Sequence, residues 1–424
     1  MNRRYADAVS YIEGLSNALV AKDSVRASWK LDMLLPKMQH FLDLIGNPEK
    51  GLKFVHVTGT GGKGTVSSLV HSMLVADGKK AGLFTSPYST TAIEEIKVDD
   101  LYIPPDEFAD IVEFLKPFVE KAARDPKYGR PSAFGLFFAV ALLYFKRQKC
   151  EWAVIEVGIG GRYDFTNVIQ EPKAAVITHI DYDHTKLLGK SIREIALDKA
   201  GIIKSGCQFF TAERRPAVRR LFEKACRDRG AAYAAVTAKP SEDHNLPLAG
   251  AIGAGLGISR AAIEKGIASS HMPCRFEIME RDPFIILDGA HNRSKMRDTV
   301  RRLGQLRYRK LVVIIAASNL HADNLAVLPE LVPFADAVIA TGFDSTERRK
   351  SIHPNALVAR IKKFIRTGAK ILVIQDPHEA LATARKTASS GDCILVTGSF
   401  FLAGELRKEW YPEAWVLKRR TSFK

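Results

Sequence analysis

The sequence predicts an α/β protein of two domains, a larger N-terminal domain around a mainly parallel sheet and a smaller C-terminal α/β domain. The 424 residues, 46% apolar and 26% charged, exceed what one hydrophobic core usually organises. Short apolar runs alternate with helical patterns in both halves, which is typical of parallel sheets. A loop-like segment, Ser269–Pro273, separates the two sets. We therefore place the domains at residues 1–270 and 271–424.

The N-terminal half begins with a β-loop-α-β unit. Leu52–Val57 is an apolar run typical of a buried strand, and Thr65–Ala76 follows a glycine-rich turn and has helical character. Further strands are predicted at Ala81–Thr85, Trp152–Val157, Ala174–Thr178 and Gln208–Thr211, and helices near Phe108–Ala122, Ala133–Arg147 and Ile192–Ala200. Because strands and helices alternate, we expect a mainly parallel sheet.

The C-terminal half repeats this alternation. Apolar runs predict strands at Phe284–Leu287, Leu311–Ala316, Ala337–Thr341, Lys370–Ile374 and Cys393–Val396. Helical segments separate these runs, so we expect a second open α/β sheet.

Cysteine usage and hydropathy narrow the class of protein. Five cysteines, an odd number without a CxxC pair, argue against a disulfide framework and a zinc cage. The longest strongly apolar run, Phe134–Phe145, is well short of the roughly 20 residues that a membrane-spanning helix needs. Charged residues within Met1–Val20 interrupt the apolar core of a signal peptide. We expect a cytoplasmic protein without membrane contact.

The net charge of +16 leaves two kinds of partner open. A basic chain attracts nucleic acid, and it equally steers polyanionic small molecules such as nucleotides or polycarboxylates. The basic stretch Arg293–Lys310 is the candidate for nucleic acid, although such a run is more often the solvated face of a helix. We expect small-molecule substrates and no nucleic acid.

A glycine-rich segment between the first strand and its helix predicts a phosphate site. It reads Gly59-Thr60-Gly61-Gly62-Lys63-Gly64-Thr65, which is shorter than the P-loop pattern GxxxxGK[ST] and matches it in part. Glycines let backbone N–H groups approach phosphates, and Lys63 offsets phosphate charge. Thr65 has the position of the hydroxyl that usually reaches Mg²⁺. An ordinary glycine-rich turn is the alternative.

Two acidic segments follow predicted strands. Glu156 stands inside an apolar strand just before the run Gly158–Gly161, and a buried carboxylate needs a partner. A magnesium ion would provide one, and a salt-bridged core acid is the alternative. The segment Thr178–Thr185 concentrates acids and imidazoles at the carboxyl end of another strand, where ligands of open sheets gather.

Taken together, these segments resemble the Mur ligase superfamily and, within it, the folylpolyglutamate synthase and dihydrofolate synthase family. After the P-loop come segments similar to the family's TSP, EVGxGGRxDxTN, DHT, KAGIIK, PGRFE, DGAHN and GSF motifs. In this chain they are Thr85–Pro87, Glu156–Asn167, Asp183–Thr185, Asp198–Lys204, Pro273–Glu277, Asp288–Asn292 and Gly398–Phe400. They occur in the family's order over about residues 30 to 405, with Cys274 in place of the PGRFE glycine.

The resemblance implies a P-loop-type N-terminal domain, a Rossmann-like C-terminal domain and specific site residues. ATP would be bound by Gly59, Thr60, Gly61, Gly62, Lys63, Gly64, Thr65, Arg275 and Asp288. Two Mg²⁺ sites would be organised by Thr65, Ser86, Glu156, His184 and Lys199, of which Lys199 resembles the family's carbamylated lysine. The catalytic residues would be Lys63, Lys199 and His291, with His291 near the incoming glutamate. An ordinary helix lysine is the alternative for Lys199, and a surface arginine or turn is the alternative for Arg275 and Asp288.

The activity that the resemblance implies is that of an ATP-dependent acid–amino-acid ligase of the tetrahydrofolate synthase or dihydrofolate synthase type. A folate or dihydropteroate carboxylate would attack the γ-phosphate of ATP, and the amino group of L-glutamate would capture the resulting acyl phosphate. We expect the chain to act as a monomer.

Two departures from the family motifs leave other activities open. Glu95 stands where the family has an arginine, and Gly135 stands where it has a glutamate. A Mur-type ligase that acts on a non-folate carboxylate is therefore one alternative, and a non-catalytic ATP-binding module is another. Retention of Glu156, His184 and Lys199 argues against the module, because binding alone does not need two metal sites.

Overall fold

The computed structural model describes residues 3–15, 32–237, 243–318, 322–346 and 349–423. Its N-terminal sheet contains β1 (Lys53–Thr58), β2 (Ala81–Phe84), β3 (Ile96–Val98), β4 (Leu101–Tyr102), β5 (Trp152–Glu156), β6 (Pro172–Ile177), β7 (Gln208–Thr211) and β8 (Ala232–Ala235). The strand order is β4-β3-β2-β5-β1-β6-β7-β8. The strands from β2 to β8 in this order pair in parallel, whereas β3 and β4 are antiparallel.

The helices of the N-terminal half cover both faces of this sheet. They are α1 (Arg3–Gly14), α2 (Leu34–Leu44), α3 (Lys63–Ala76), α4 (Pro105–Ala123), α5 (Ala133–Arg147), α6 (Thr185–Leu188), α7 (Ile192–Lys199), α8 (Pro216–Arg229), α9 (Asn245–Gly255) and α10 (Arg260–Ser269). Short 3₁₀ segments occur at Ala92–Glu95, Phe165–Val168 and Ala200–Ile202.

The C-terminal half has its own sheet. Its strands are β9 (Glu277–Arg281), β10 (Phe284–Leu287), β11 (Leu311–Ile315), β12 (Ala337–Ala340), β15 (Lys370–Val373) and β16 (Cys393–Thr397), and a separate hairpin holds β13 (Asp344–Thr346) and β14 (Arg349–Lys350). The order is β15-β12-β11-β16-β10-β9, with only β9 antiparallel among these six. The helices are α11 (Arg293–Leu303), α12 (Leu328–Leu331), α13 (Pro354–Ile361), α14 (Pro377–Thr387), α15 (Phe400–Arg407) and α16 (Glu413–Arg419), with 3₁₀ segments at Ala322–Val327 and Val332–Phe334.

Alternation along the central strands explains how both faces of the N-terminal sheet are buried. Phe54 and Ile155 pack in the cluster that includes α1, α2, α4 and α5, whereas the adjacent Val55 and Val154 pack with α3, α9 and α10. Successive strand residues point to opposite faces, so each central strand serves two hydrophobic cores.

The predicted α/β fold with two mainly parallel sheets is confirmed. Strands β3, β4 and β9, at or next to the edges of their sheets, were not predicted, because they are short or carry charged residues such as Glu277, Glu280 and Arg281. The helix α8 was also missed, although Pro216 at its first turn and Gly230 after its end are boundary signals. The predicted apolar run at Phe134–Phe145 lies in the buried helix α5. Among the described residues, every helix is too short or too polar to span a bilayer.

The two halves are joined by more than one segment. The helix α10 ends at Ser269 and β9 begins at Glu277, with the predicted linker between them. After α16 the chain returns to the N-terminal sheet, where Tyr102 N donates to Arg420 O at 2.9 Å and Arg420 Nε donates to Tyr102 O at 2.7 Å. The C-terminal segment therefore contacts the edge of the first sheet.

Three neighbouring strands of the N-terminal sheet end at one edge. Val57 of β1 pairs with Glu156 at the end of β5, and Thr58 pairs with Ile177 at the end of β6. The loops that follow these strands carry the predicted phosphate and metal motifs. Ligands of open α/β sheets bind at such an edge.

Candidate active site

Hydrogen bonds with the end of β6 hold one side of the loop Gly59–Gly62. In the described part of the chain, backbone N–H donors remain without partners on its other side, at the start of α3. Thr178 Oγ1 donates to Gly61 O at 2.6 Å, and Thr60 N donates to His179 O at 3.0 Å, so the end of β6 holds the loop. Gly62 precedes α3 with φ of 78°, a left-handed conformation that favours glycine. Among the described residues, no side chain caps the start of α3. Its first backbone N–H groups are thus available to an anion such as phosphate.

A cavity of about 300 Å³ adjoins this loop and is lined by both halves of the chain. The predicted site residues among its lining are Gly61, Gly62, Lys63, Gly64, Thr65, Glu156, Arg275 and Asp288. Lys295, Arg301 and Arg302 of α11 add further cations. The structure therefore brings the predicted nucleotide residues of the two halves to one cation-rich space.

Glu156 is the buried carboxylate of this cavity. It is 4% exposed, and burial raises its pKa, while the nearby Lys63 opposes that shift. Lys63 Nζ lies 3.9 Å from Glu156 Oε1, and Ser86 N donates to Glu156 Oε2 at 3.3 Å. A carboxylate this deeply buried, with one long ion pair and one backbone donor, is suited to a further cation.

Lys199 lies beneath the phosphate loop. Its side chain is buried, and Nζ donates to Gly59 O at 3.2 Å. Burial lowers the pKa of Lys199 to about 8, and the charge of Lys63 acts in the same direction. A larger fraction of this amine is therefore neutral near neutral pH than for an ordinary lysine, which is the form that reacts with CO₂.

His184 and its neighbour Asp183 lie where the loop after β6 meets the C-terminal half. His184 Nε2 is 3.8 Å from Asp183 Oδ1, and Asn292 Nδ2 donates to Asp183 Oδ2 at 3.5 Å. Burial opposes ionisation of Asp183, but His184 and Lys295 hold its pKa at about 2. Asp183 is therefore a carboxylate anion between the two halves.

The metal prediction can be compared with the donors present. In the part of the chain that the structure describes, no three His, Cys, Asp or Glu side chains form a metal-binding group. Mg²⁺ is usually held by one or two carboxylates, waters and substrate phosphates rather than by a protein cage. The buried Glu156 beside the phosphate loop fits that mode of binding.

Asp288 and Arg275 form the opposite wall. The Asp288 carboxylate accepts hydrogen bonds from Phe276 N at 2.7 Å, Ala290 N at 2.9 Å and Thr299 Oγ1 at 2.7 Å. The Arg275 guanidinium lies 4.7 Å from the centre of the Phe400 ring. Asp288 thus organises its own turn as well as lining the cavity.

His291 and Lys295 form a pair at the start of α11. His291 Nδ1 lies 2.9 Å from Gly289 O, which can only accept, so Nδ1 carries the proton. Nε2 is therefore the acceptor for Lys295 Nζ at 3.0 Å. Burial lowers the pKa of His291 to about 3 and that of Lys295 to about 7.

Several cavity residues, Lys295 and Asn245 among them, were not predicted as site residues from the sequence. Lys295 lay within the basic stretch, where its spacing of four from His291 was the available signal. Asn245 opens α9, and its buried Oδ1 finds no hydrogen-bond partner among the described residues. A Cβ on Gly62 would lie 2.1 Å from that oxygen, so Asn245 packs directly against the phosphate loop.

The remaining predicted residues surround the cavity without lining it. Thr60 and Gly59 form the fixed side of the loop, and Ser86, Lys199 and His291 each bond a residue of the loop or cavity, as described above. Their predicted roles in catalysis, nucleotide binding and metal binding stay predictions.

The departures from the family motifs have local structural explanations. Glu95 accepts a hydrogen bond from Tyr88 N at 3.2 Å and is buried. A Cβ on Gly135 would approach Phe165 Cδ1 at 3.3 Å and Met38 Sδ at 3.4 Å, so a longer side chain would need these residues to move. Cys274 has φ of 55°, a conformation for which the family's glycine is better suited.

The cations of the basic stretch Arg293–Lys310 divide between the cavity and the surface. Lys295, Arg301 and Arg302 line the cavity, whereas Arg293 and Arg297 pair with Glu330 at 2.8 and 3.0 Å. Three of these cations are therefore placed to meet an anion in the cavity.

Known proteins share both the domains and the fold. Residues 57–225 match the Mur ligase middle domain, and residues 274–400 match the Mur ligase, glutamate ligase domain. The dihydrofolate synthase/folylpolyglutamate synthase of Bacillus subtilis is 28% identical over 95% of this chain and 98% of its own length. The folylpolyglutamate synthase of Lacticaseibacillus casei is 28% identical over 87% of this chain and 92% of its own.

Solved structures agree with these relatives. The folylpolyglutamate synthase of Thermotoga maritima has a TM-score of 0.77 at 27% identity, covering 95% of this chain and 96% of that one. A folylpolyglutamate synthase of Mycobacterium tuberculosis shares the fold with a TM-score of 0.85 at 24% identity, covering 96% and 99%. The cavity geometry, the two domain matches and these relatives together establish that the chain belongs to the folylpolyglutamate synthase and dihydrofolate synthase family of Mur ligases, which are ATP-dependent ligases.

Proposed function

We propose that this ligase joins the amino group of L-glutamate to a carboxylate of a folate or dihydropteroate acceptor. The observation that carries the proposal is the single cavity in which the phosphate loop and Lys63 face Arg275 and Lys295 beside buried Glu156. Relatives support the ligands: a Mycobacterium tuberculosis folylpolyglutamate synthase is complexed with ADP and AMPPCP, and an E. coli relative is complexed with DHPP and ADP.

The reaction consists of two displacements. A carboxylate oxygen of the acceptor attacks the γ-phosphorus of ATP, and ADP leaves. The glutamate amine then attacks the acyl carbon, and inorganic phosphate leaves with one oxygen of the original carboxylate. Negative charge builds on phosphoryl oxygens in both steps, so fixed donors and cations supply most of the catalysis.

Side chains from both walls of the cavity contribute to the binding of the phosphates. The phosphate loop and Lys63 bind the phosphates from the N-terminal side, and Arg275 and Asp288 contact the nucleotide from the other side. Lys295 adds a cation opposite Lys63. The neutral His291 Nε2 orients Lys295 and is suited to accept a hydrogen bond from the incoming amine when Lys295 turns to a phosphate.

The residues present fit magnesium held jointly with the ATP phosphates. Glu156, Thr65, Ser86 and His184 would hold the ions, and Lys199 would join them as a carbamate, because CO₂ converts its neutral amine into an anionic group. When bound, Mg²⁺ neutralises phosphoryl charge and orients the γ-phosphate for in-line attack.

We also infer that residues 1–270 and 271–424 act as the two domains around the ATP cavity, with the linker before β9 between them. We infer that the chain acts as a monomer, because the cavity residues named above belong to one copy. The five free cysteines are compatible with a cytoplasmic enzyme.

The test is phosphate release from MgATP by the purified protein with L-glutamate and either dihydropteroate, tetrahydrofolate or no acceptor, followed by mass spectrometry of the products. Acceptor-dependent release with a glutamylated pterin is the expected result. Glutamate-dependent release that requires a different carboxylate would replace the acceptor while keeping the ligase, an outcome for which Gly135 and Glu95 provide the structural reason. Absence of turnover with all carboxylates would contradict the proposal.

A further inference from the structure

An imidazole joins the two halves of the chain beside the phosphate loop. His179 follows β6, and its carbonyl oxygen accepts a hydrogen bond from Thr60 N at 3.0 Å. A Cβ on Gly61 would lie 3.0 Å from His179 Cε1, so the ring packs against the loop. Its Nε2 lies 2.8 Å from Ser294 Oγ, in the first turn of α11. The ring therefore lies between the loop and the helix that carries Lys295.

A second imidazole extends this contact to α9. His244 Nε2 lies 3.2 Å from His179 Nδ1, and the two rings meet edge to face with their centroids 5.0 Å apart. His244 directly precedes α9, whose first residue, Asn245, packs against Gly62. The contacts from His244 through His179 to Ser294 thus run from the start of α9, past the phosphate loop, to the start of α11.

Both ring nitrogens of His179 have partners. Burial lowers the pKa of His179 to about 3, and the charge of His244 acts in the same direction. The ring is therefore neutral near neutral pH, with one nitrogen that donates and one that accepts. The Ser294 hydroxyl can donate or accept, so it can pair with Nε2 in either tautomer. A polar group whose partners are all present holds its neighbours in a fixed arrangement.

The first turn of α11 contacts the N-terminal half at two points, on either side of the position where Lys295 enters the cavity. Asn292 Nδ2 donates to Asp183 Oδ2 at 3.5 Å, which is long, whereas the contact of Ser294 with the imidazole is 2.8 Å. Lys295 Cγ would lie 3.6 Å from a Cβ on Gly61, so the stem of this lysine runs beside the loop. A small shift of this turn would therefore move the ammonium group relative to a phosphate bound by the loop.

We propose that His179 and Ser294 are positioning residues, which fix the first turn of α11 against the phosphate loop so that Lys295 meets the terminal phosphate of ATP. The inference rests on the proposed function, in which Lys295 is the cation opposite Lys63. Neither positioning residue touches the nucleotide, and both act through Lys295. Such an effect is large enough to measure, because a displacement of about 1 Å in a reacting arrangement can cost about 100-fold in rate.

The direct test is calorimetric titration of AMPPCP, and separately of ADP, into the full-length protein with Mg²⁺ present. Ser294→Ala removes the hydroxyl that meets the imidazole, and its affinity for AMPPCP should fall about 3- to 10-fold, the effect of one neutral hydrogen bond. Its affinity for ADP should change much less, because ADP lacks the terminal phosphate. Ser205→Ala is the matched control, since Ser205 lies in an exposed turn outside the cavity lining. It should bind both nucleotides like the wild type.

A double-mutant cycle distinguishes positioning from a general structural role. In a Lys295→Gln background, Ser294→Ala should cause no further loss of AMPPCP affinity, because the group that it positions is already absent. Effects that do not pass through Lys295 would add instead.

A pair of substitutions at the imidazole provides a rescue. The side-chain amide of glutamine can reach about the position of His179 Nε2, whereas that of asparagine reaches about the position of Nδ1. His179→Gln should therefore keep most of the AMPPCP affinity, and His179→Asn should lose as much as Ser294→Ala. Thermal midpoints of the two variants show whether the comparison is made on folded protein.

The outcomes separate this inference from the proposed function. Equal losses of AMPPCP affinity from Ser294→Ala in the wild-type and Lys295→Gln backgrounds would overturn the inference, as would equal losses for AMPPCP and ADP. Unchanged AMPPCP affinity in Lys295→Gln itself would also overturn it, since no phosphate contact would remain to be positioned. The titrations contain neither acceptor nor glutamate. The expected cycle without any glutamylated pterin product would therefore support the inference and instead remove the folate acceptor.

Discussion

The two walls of the ATP cavity present different chemical groups to it. The N-terminal wall is mainly backbone: the Gly59–Gly62 loop is held by Thr178 and leaves N–H groups at the start of α3. The C-terminal wall is mainly side chains, with Arg275, Lys295 and the Asp288 turn. Backbone donors are fixed by the fold, whereas the lysine and arginine groups can change position by rotation of their side chains. We therefore expect the N-terminal wall to position the phosphates and the C-terminal wall to supply cations that turn toward them.

The largest effect is expected at Lys63, a side chain of the N-terminal wall. Lys63→Gln should lower kcat by about 10²- to 10³-fold, the loss typical of removing one transition-state donor. Initial rates of phosphate release measure this loss of kcat. Lys53→Gln is the control, because Lys53 pairs with Glu151 at the other end of β1. A reduction equal to that of the control would mean that the loop does not bind the transferred phosphate.

Lys199 tests whether the N-terminal wall also carries an anionic carbamate group. ¹³C-bicarbonate NMR should show a protein carbamate signal that Lys199→Gln abolishes, with activity falling about 10- to 100-fold as for other metal-shell changes. The pKa of about 8 means that the neutral, reactive amine increases as pH rises through that value, so the signal should grow over the same range. Lys190→Gln, an exposed change, should leave it intact. A wild-type spectrum without the signal would leave Lys199 as a loop-supporting lysine.

Lys295 tests the C-terminal wall of the ATP cavity. Lys295→Gln should weaken AMPPCP binding about 10-fold, the lower end for a charged hydrogen bond, and weaken ADP binding much less, because the contact is to the terminal phosphate. Arg297→Gln is the control, since Arg297 pairs with Glu330 away from the cavity lining. Equal loss of affinity for AMPPCP and ADP would contradict a contact between Lys295 and the terminal phosphate. It would mean that Lys295 acts only through its general positive charge.

The smallest effect concerns the turn that carries Arg275. Cys274 has a left-handed backbone, so Cys274→Gly should be about 1 kcal/mol more stable than Cys274→Ala, the reverse of the usual order. Urea unfolding of both variants measures this difference. A more stable alanine variant would show that the turn relaxes to another conformation.

The same contrast explains what sequence could and could not predict. Glycine spacing and an acid in an apolar strand are local signals, and they predicted the phosphate loop and Glu156, which the structure places beside one cavity. Parallel strands were predictable because both of their faces are buried. Edge strands such as β4 and β9 carry weaker patterns and were missed. Lys295 and Asn245 reach the ATP cavity through helix phase and tertiary packing. The spacing of four between His291 and Lys295 was a weak local signal, and nothing in the immediate sequence distinguishes Asn245 from a surface residue.

The central claim is that this cavity activates a carboxylate as an acyl phosphate. Its most direct test is turnover with an acceptor whose carboxylate oxygens are labelled with oxygen-18, followed by mass spectrometry of the released phosphate. We predict that each phosphate formed with amide product carries one labelled oxygen, because the carboxylate attacks the γ-phosphorus. Unlabelled phosphate alongside amide product would contradict the account and require a different activation of the acceptor.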